Sequence, residues 1–355
     1  MTLVVTGADG FLGWHTRVLA HARGLTPVVA AGRGGGLEAV DGADRVVHLA
    51  GVNRGEPAEV TAGNLGAAEA LAAAIGRAAT PPRTVVYANS AQAGNGTPYG
   101  DAKAAAGDLL ADAAAKAGAE FVDVRLPNVF GEHGRPFYNS VVATFCRLLA
   151  TGGAPEVQED RALDLLHVTD AASLLLGTAP AAPRAFRSTV SALAARLGRF
   201  AEVYRTGEIP ALDGRDDVRL FNTYRAQCFP AHYPMRPARH ADARGELVEA
   251  VKVHGGGGQS FVSSTVPGIT RGQHYHLAKV ERFLVLRGEA EISLRRLLHD
   301  DVVTFRVSGD EPAIVDMPTM WAHNITNVGS GELLTLFWAN DLFDPANPDT
   351  YLEDV

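Results

Sequence analysis

Two sets of side chains in this chain have types and spacings that could do chemistry. The first is Ser90, Tyr99 and Lys103. Tyr99 and Lys103 are four residues apart, so on a helix they share one face, one turn from each other. A free tyrosine titrates near pH ~10. A lysine ammonium beside it favours the phenolate, which makes the phenol a usable proton donor or acceptor near neutrality. Ser90 follows an apparent strand, 84–88, and can hydrogen-bond a carbonyl oxygen from the other side. Together the three polarise a C=O while a hydride reaches its carbon. The second set is His274, His276, Glu281 and His323. His274 and His276, two apart on a strand, point to one face, and Glu281 opens the next strand. Three imidazoles and a carboxylate with open positions suit Zn²⁺, Fe²⁺, Ni²⁺ or Mn²⁺.

The elements around the first set read as a nucleotide-binding α/β fold. A buried strand over residues 2–6 runs into Gly7-Ala-Asp-Gly10-Phe11-Leu12-Gly13 and then an Ala/Leu-rich helix ending near Gly24. Glycines at this spacing between strand and helix let the backbone approach a pyrophosphate at the helix N-terminus. The second strand ends Ala31-Gly32-Arg33, with a guanidinium where an NAD site carries an acid, so Arg33 favours the 2′-phosphate of NADP. Only residues 34–43 separate it from the strand at 45–49. A parallel crossover needs a dozen residues or more, so one strand–helix unit is missing. Leu49, Ala50 and Gly51 then pass under the cofactor, their small residues admitting its nicotinamide half. A helix over 64–75, the strand before Ser90, the Tyr99 helix to about Ala117 and a strand over 120–125 follow. That strand leads into a loop carrying Asn128 at the carboxyl end of the sheet, where such folds bind ligands. A short strand and helix fill 163–176, and another helix runs over 188–197.

From about residue 201 the periodicity changes, and 201–240, rich in Pro, Tyr and Arg, reads as a linker. After Glu246 come short β runs at 260–264, 282–286, 290–294, 302–305 and 333–338, which argue for a small antiparallel barrel. The segment after Asp341 looks peripheral. The expected fold class is α/β plus all-β: a Rossmann-type doubly wound parallel sheet over 1–240, and a β-barrel over 241–355.

Composition sets the remaining bounds. A chain of 355 residues suits two domains. A formal net charge of −8 with no basic block argues against a nucleic-acid partner. No apolar run reaches about 18 residues, so no membrane span is expected. The chain opens on a strand without a basic, apolar leader, and Cys146 and Cys228 form no metal or redox motif, so a cytoplasmic protein with reduced thiols is expected.

The spacing Gly268-x5-His274-x-His276-x4-Glu281-x6-Gly288 matches the first cupin signature, and His323 with Asn327 matches most of the second. Met320 stands where the second expects Gly. Both halves, in this order, resemble the family of the capsular polysaccharide assembling protein CapF, an extended short-chain dehydrogenase/reductase domain fused to a cupin. The resemblance covers nearly the whole chain. It rests on the Gly-rich turn, on 48–54, 99–103, 125–131 and 138–146, on the 221–225 stretch, and on 267–276, 279–285 and 323–327.

The resemblance implies a bifunctional enzyme of UDP-N-acetyl-L-fucosamine-type biosynthesis. Its substrate would be a UDP-linked 4-keto-6-deoxy-2-acetamido hexose, epimerised at C3 by the cupin and reduced at the C4 ketone with NADPH by the reductase domain. The catalytic pair carries over to Tyr99 and Lys103, with Ser90 as third member. The zinc ligands carry over to His274, His276 and His323, with Glu281 as ligand or close neighbour. By analogy with related reductases Asn128 holds the diphosphate, or else it caps its loop. A homodimer is implied as well. Three alternatives stay open: a ketosugar reductase whose barrel is a structural or dimerisation module, an iron dioxygenase in the cupin, and a nucleotide sensor without turnover. Intact Ser90, Tyr99 and Lys103 speak against the sensor.

Overall fold

Four buried residues make the first strand, β1 (Leu3–Thr6), as expected of an inner strand in a parallel sheet covered on both faces. It is joined by β2 (Val28–Ala31), β3 (Arg45–His48), β4 (Thr84–Ser90) and β5 (Glu120–Leu126). All pair in parallel, in the order β2-β1-β3-β4-β5. The chain first builds outward to β2 and then returns to the other side of β1, so β1 and β3 flank the point where strand order reverses. The helices are α1 (Phe11–Ala22), α2 (Pro57–Arg77) and α3 (Pro98–Ala117). Val4, Val46 and Val85 of the sheet pack with Leu71, Ile75 and Leu110 of α2 and α3 in one core. Among the described residues between β2 and β3 the only helical element is a single 3₁₀ turn, Leu37–Val40, as the short spacing predicts.

This structure is a computed structural model, and it describes residues 2–25, 27–31, 35–179, 185–243 and 245–355. By contact the chain divides into two units, 1–141 with 161–189, and 142–160 with 190–355. The first holds the parallel sheet and a smaller one. There Asn128–Phe130 lies parallel to Ala162–His167, which pairs antiparallel with Phe186–Thr189. Among the described residues no helix is long and apolar enough to cross a membrane.

The second unit carries two antiparallel sheets. One orders Gln259–Thr265, Leu333–Ala339, Glu281–Arg287 and Ile314–Met317. The other orders Val302–Ser308, Glu289–Arg296, Trp321–Asn327, Thr270–Tyr275 and Tyr351–Leu352. The stretch read as a linker is different: Arg215–Cys228 is a helix, and 190–240 belongs with these sheets by contact. Its buried face carries a stripe of Leu220, Phe221, Tyr224 and Cys228 mixed with Arg219, Asn222, Thr223 and Arg225, so polar residues obscure the apolar period.

Those buried polar groups meet in one network. The Arg282 guanidinium grips Asp316 through Nε at 2.7 Å and Nη2 at 2.9 Å. Tyr204 donates its hydroxyl to Asp316 Oδ2 at 2.6 Å. Arg225 donates to Met317 O at 2.7 Å and to Asn222 Oδ1 at 2.9 Å. Arg282 and Asp316 lie opposite each other on neighbouring strands, next to the Glu281–Met317 pair. The network therefore holds the strand on which Glu281 sits.

Candidate active site and metal centre

In the first unit the candidate residues gather at the carboxyl ends of β1, β3 and β4. Gly7 turns with φ +64°, and its backbone lies against Ala50. A Cβ on Gly13 would stand 2.2 Å from the Gly7 carbonyl oxygen, so α1 can start this close to β1 only with glycine there. Gly13→Ala is accordingly expected to cost about 1–3 kcal/mol through overpacking, read as a lowered thermal midpoint. An unchanged midpoint would mean the turn relaxes freely. Thr6, which motif reading missed, ties the turn to Leu49 and Ala50. Its Oγ1 accepts from their N–H groups at 3.2 and 3.3 Å and donates to His48 Nδ1 at 2.8 Å. Burial, then the Lys103 charge, push His48 down to about 3, so its ring is neutral and free to accept that proton. Arg33 lies outside the described residues.

Ser90 ends β4, and Tyr99 is the second residue of α3. Thr97 caps that helix by accepting from Gly100 N, Pro98 starts it, and Gly118 ends it with φ 70°. The cap places Tyr99 in the first turn with Lys103 one turn below. Burial raises the Tyr99 phenol above its ordinary value and the neighbouring Ser90 hydroxyl pulls it back. Lys103 Nζ donates to Ala88 O at 2.6 Å and stands 4.1 Å from the centre of the Tyr87 ring. Burial lowers it to about 8, against the pull of Asp123. The ammonium thus faces Ala88 and Tyr87, and burial favours the protonated phenol of Tyr99.

Asn128 opens its strand, and its amide donates to Asp164 O at 3.3 Å. That bond fastens two strands.

In the second unit His274, His276, Glu281 and His323 offer ligand atoms that all lie within 4.8 Å of one another. The three Nε2 atoms converge on Glu281 Oε2, at 3.0 Å from His276, 3.3 Å from His323 and 3.9 Å from His274. His276 Nδ1 donates to Asp349 O at 2.5 Å and His323 Nδ1 to Trp321 O at 3.0 Å. Those bonds leave both Nε2 lone pairs facing inward, the tautomer a metal ligand requires. Burial raises the Glu281 carboxyl, but the three histidines around it outweigh that and hold the group well below its usual value. Burial lowers His323 to about 4. Imidazoles around a carboxylate fit a single divalent cation. The side chains of His276 and His323 are 3% and 0% exposed and that of His274 is 21% exposed, so the site opens on the His274 side.

Met320 takes φ 62°, the conformation glycine adopts without cost. Its N–H donates to His276 O at 2.7 Å and its carbonyl accepts from Leu297 N at 3.1 Å. The departure from the second signature therefore changes the residue and keeps the backbone.

Residues 3–185 match the family described as NAD dependent epimerase/dehydratase, and residues 240–351 the one described as polysaccharide biosynthesis C-terminal domain. A curated relative from Pseudomonas aeruginosa, UDP-2-acetamido-2,6-beta-L-arabino-hexul-4-ose reductase, is 32% identical over 99% of this chain and 98% of its own. The crystal structure of capsular polysaccharide assembling protein CapF from Staphylococcus aureus is 30% identical, covers 100% of both chains and superposes with a TM-score of 0.61. The chain belongs to the CapF family. A further CapF structure, with the inhibitor 3-isopropenyl-tropolone, is 29% identical over 100% of both chains, with a TM-score of 0.56. The parallel sheet followed by antiparallel sheets is the CapF fold.

Proposed function

We propose that this protein is a bifunctional nucleotide-sugar enzyme. It epimerises C3 of a UDP-linked 4-keto-6-deoxy-2-acetamido hexose at the His274, His276, Glu281 and His323 cluster, and reduces the C4 ketone at Ser90, Tyr99 and Lys103. The observation that carries the reading is the pairing, in one chain, of Ser90 at the end of β4 and Tyr99 in the first turn of α3 with four candidate ligands within 4.8 Å of one another. The curated relative, 32% identical over nearly the whole length, is named as a reductase of a UDP-linked 2-acetamido 4-ulose.

The reduction follows from these side chains. Ser90 and Tyr99 hydrogen-bond the C4 carbonyl oxygen, and Tyr99 gives it a proton as the C–O π bond becomes an alkoxide. The Gly7–Gly13 turn and Leu49–Gly51 would hold NADPH, which would supply the hydride to C4 that, with the proton from Tyr99, gives the C4 alcohol. Lys103, buried on the next turn, keeps a cationic donor beneath the phenol.

Epimerisation at C3 exchanges one proton for another on the opposite face, with no net redox change. His274, His276, Glu281 and His323 would hold a divalent metal, zinc by family resemblance, which would supply Lewis acidity toward the enolate oxygen. His276 and His323 hold their Nε2 atoms in place, and the half-open His274 side admits the sugar. The tropolone bound as an inhibitor to CapF carries adjacent carbonyl and hydroxyl oxygens, a chelating pair suited to such a centre.

The test is solvent exchange. The ketosugar is incubated with protein in D₂O without NADPH, and the C3 proton is followed by NMR for the native chain and His276→Ala. Exchange in the native chain that is lost in His276→Ala is the expected result. No exchange, with NADPH still consumed on adding the ketone, would leave a plain ketosugar reductase with a structural barrel.

A further inference from the structure

The segment after Asp341, read from the sequence as peripheral, returns to the metal-ligand cluster. Tyr351–Leu352 adds to the edge of the second sheet, pairing with His274 and Tyr275. Tyr351 stacks on Tyr275 with ring centres 5.2 Å apart. Glu353 N donates to Gln273 O at 3.0 Å, Val355 N to Gln273 Oε1 at 3.0 Å, and Arg295 pairs with Glu353 at 2.9 Å. The most concentrated contact is Asp349. One carboxylate oxygen accepts from Leu277 N at 2.9 Å, and the other from Ala278 N at 2.9 Å and Lys279 N at 2.7 Å. Its own carbonyl accepts from His276 Nδ1 at 2.5 Å. Lys279 Nζ clamps the same turn through Pro348 O at 2.7 Å and Thr350 Oγ1 at 3.3 Å.

We propose that residues 344–355 form a strap that positions His276 for a cation, with Asp349 as the positioning residue that anchors it. Two functions meet in one residue. The Asp349 side chain fixes the loop that follows His276, and its backbone oxygen fixes the imidazole's tautomer and direction. The carboxylate holds three N–H groups in a row, so it sets the backbone on which both His276 and, two residues beyond Lys279, Glu281 are placed. Asp349 sits at φ 42°, outside the usual region for a residue with a side chain. Its carbonyl reaches the ring only from that conformation, and the three hydrogen bonds to its carboxylate are what hold it there. Outer partners of ligating histidines typically govern metal affinity about 10–100-fold. The proposal rests on the reading of the four-residue cluster as a metal site.

The experiment is a Zn²⁺ titration of the full chain against a chromophoric chelator, for the native protein, Asp349→Ala and Asp349→Asn, with the visible spectrum of the Co²⁺-loaded forms recorded alongside. The expected result is zinc binding about 10–100-fold weaker in Asp349→Ala. A shifted Co²⁺ spectrum should accompany it, with partial recovery in Asp349→Asn, whose amide oxygen still accepts. Equal affinity and an unchanged spectrum in Asp349→Ala would overturn the strap and leave the metal reading intact. No zinc binding by the native protein would overturn the metal reading, and the strap's role toward a cation with it. Hydrogen exchange on the native chain needs no variant. Positioning by the strap requires by reciprocity that zinc slow amide exchange at 349–353, and unchanged exchange there in zinc-loaded protein overturns it.

Discussion

Replacing Tyr99 by phenylalanine is expected to slow ketone reduction by about 10²–10⁴-fold, the usual contribution of a positioned proton donor. The ring stays in its half-buried place at the start of α3, and only the hydroxyl is lost. The alkoxide forming at C4 then has Ser90 alone to stabilise it and no acid on hand. Because neither the Gly7–Gly13 turn nor the Leu49–Gly51 stretch is touched, NADPH affinity should stay within a few-fold. The measurement is NADPH consumption with saturating ketosugar, paired with a fluorescence titration of the cofactor. A Tyr99→Phe rate within about threefold of native would remove the phenol from the reaction. Loss of cofactor affinity in place of turnover would make Tyr99 a binding residue.

Asp316→Ala should produce the largest loss of stability. The carboxylate is 0% exposed, and its Arg282 partner 1%. Burial alone would raise the carboxyl, but Arg282, Arg225 and the Tyr204 hydroxyl hold it below its usual value. Removing it leaves two guanidinium groups, those of Arg282 and Arg225, in the interior without a counter-charge. Breaking a buried pair from one side costs about 3–5 kcal/mol, which is about a 10²- to 10³·⁵-fold shift in the folding equilibrium. Denaturant unfolding of the second unit reads it. Substituting both Asp316 and Arg282 by leucine should cost less than the single change, since one guanidinium, that of Arg225, is then stranded in place of two. An exposed pair makes the comparison: Arg287 and Glu332, 65% and 50% exposed, should barely move the midpoint when broken. A small effect of Asp316→Ala would mean that water reaches the network.

What could be read beforehand follows from how far apart the cooperating residues lie. The Tyr99 helix was legible because its cap, first-turn proline and terminal glycine are all local. The absent strand–helix unit was legible because ten residues cannot make a crossover. The four candidate ligands were legible from spacing alone. Helix Arg215–Cys228 was not, because its apolar stripe of Leu220, Phe221, Tyr224 and Cys228 is mixed with a buried asparagine and arginine whose partners lie 56 and 92 residues away in sequence. Asp349 was invisible because its partners lie 70 to 73 positions back. The direction of Lys103 escaped too, since helical spacing says which residues are neighbours but not that its ammonium turns to Ala88.

The interleaving of the two units also bears on how the chain is made. Residues 142–160 belong with sheets whose strands are not complete until residue 352. At about 5–20 residues per second, they leave the ribosome roughly 10–40 s before those strands exist. The first unit, by contrast, has all its segments once residue 189 has emerged. Helix Val141–Ala150, with Val142, Phe145 and Cys146 buried in the finished fold, must wait through that interval beside a unit that is already able to close. During synthesis it is the segment a chaperone would find uncovered longest.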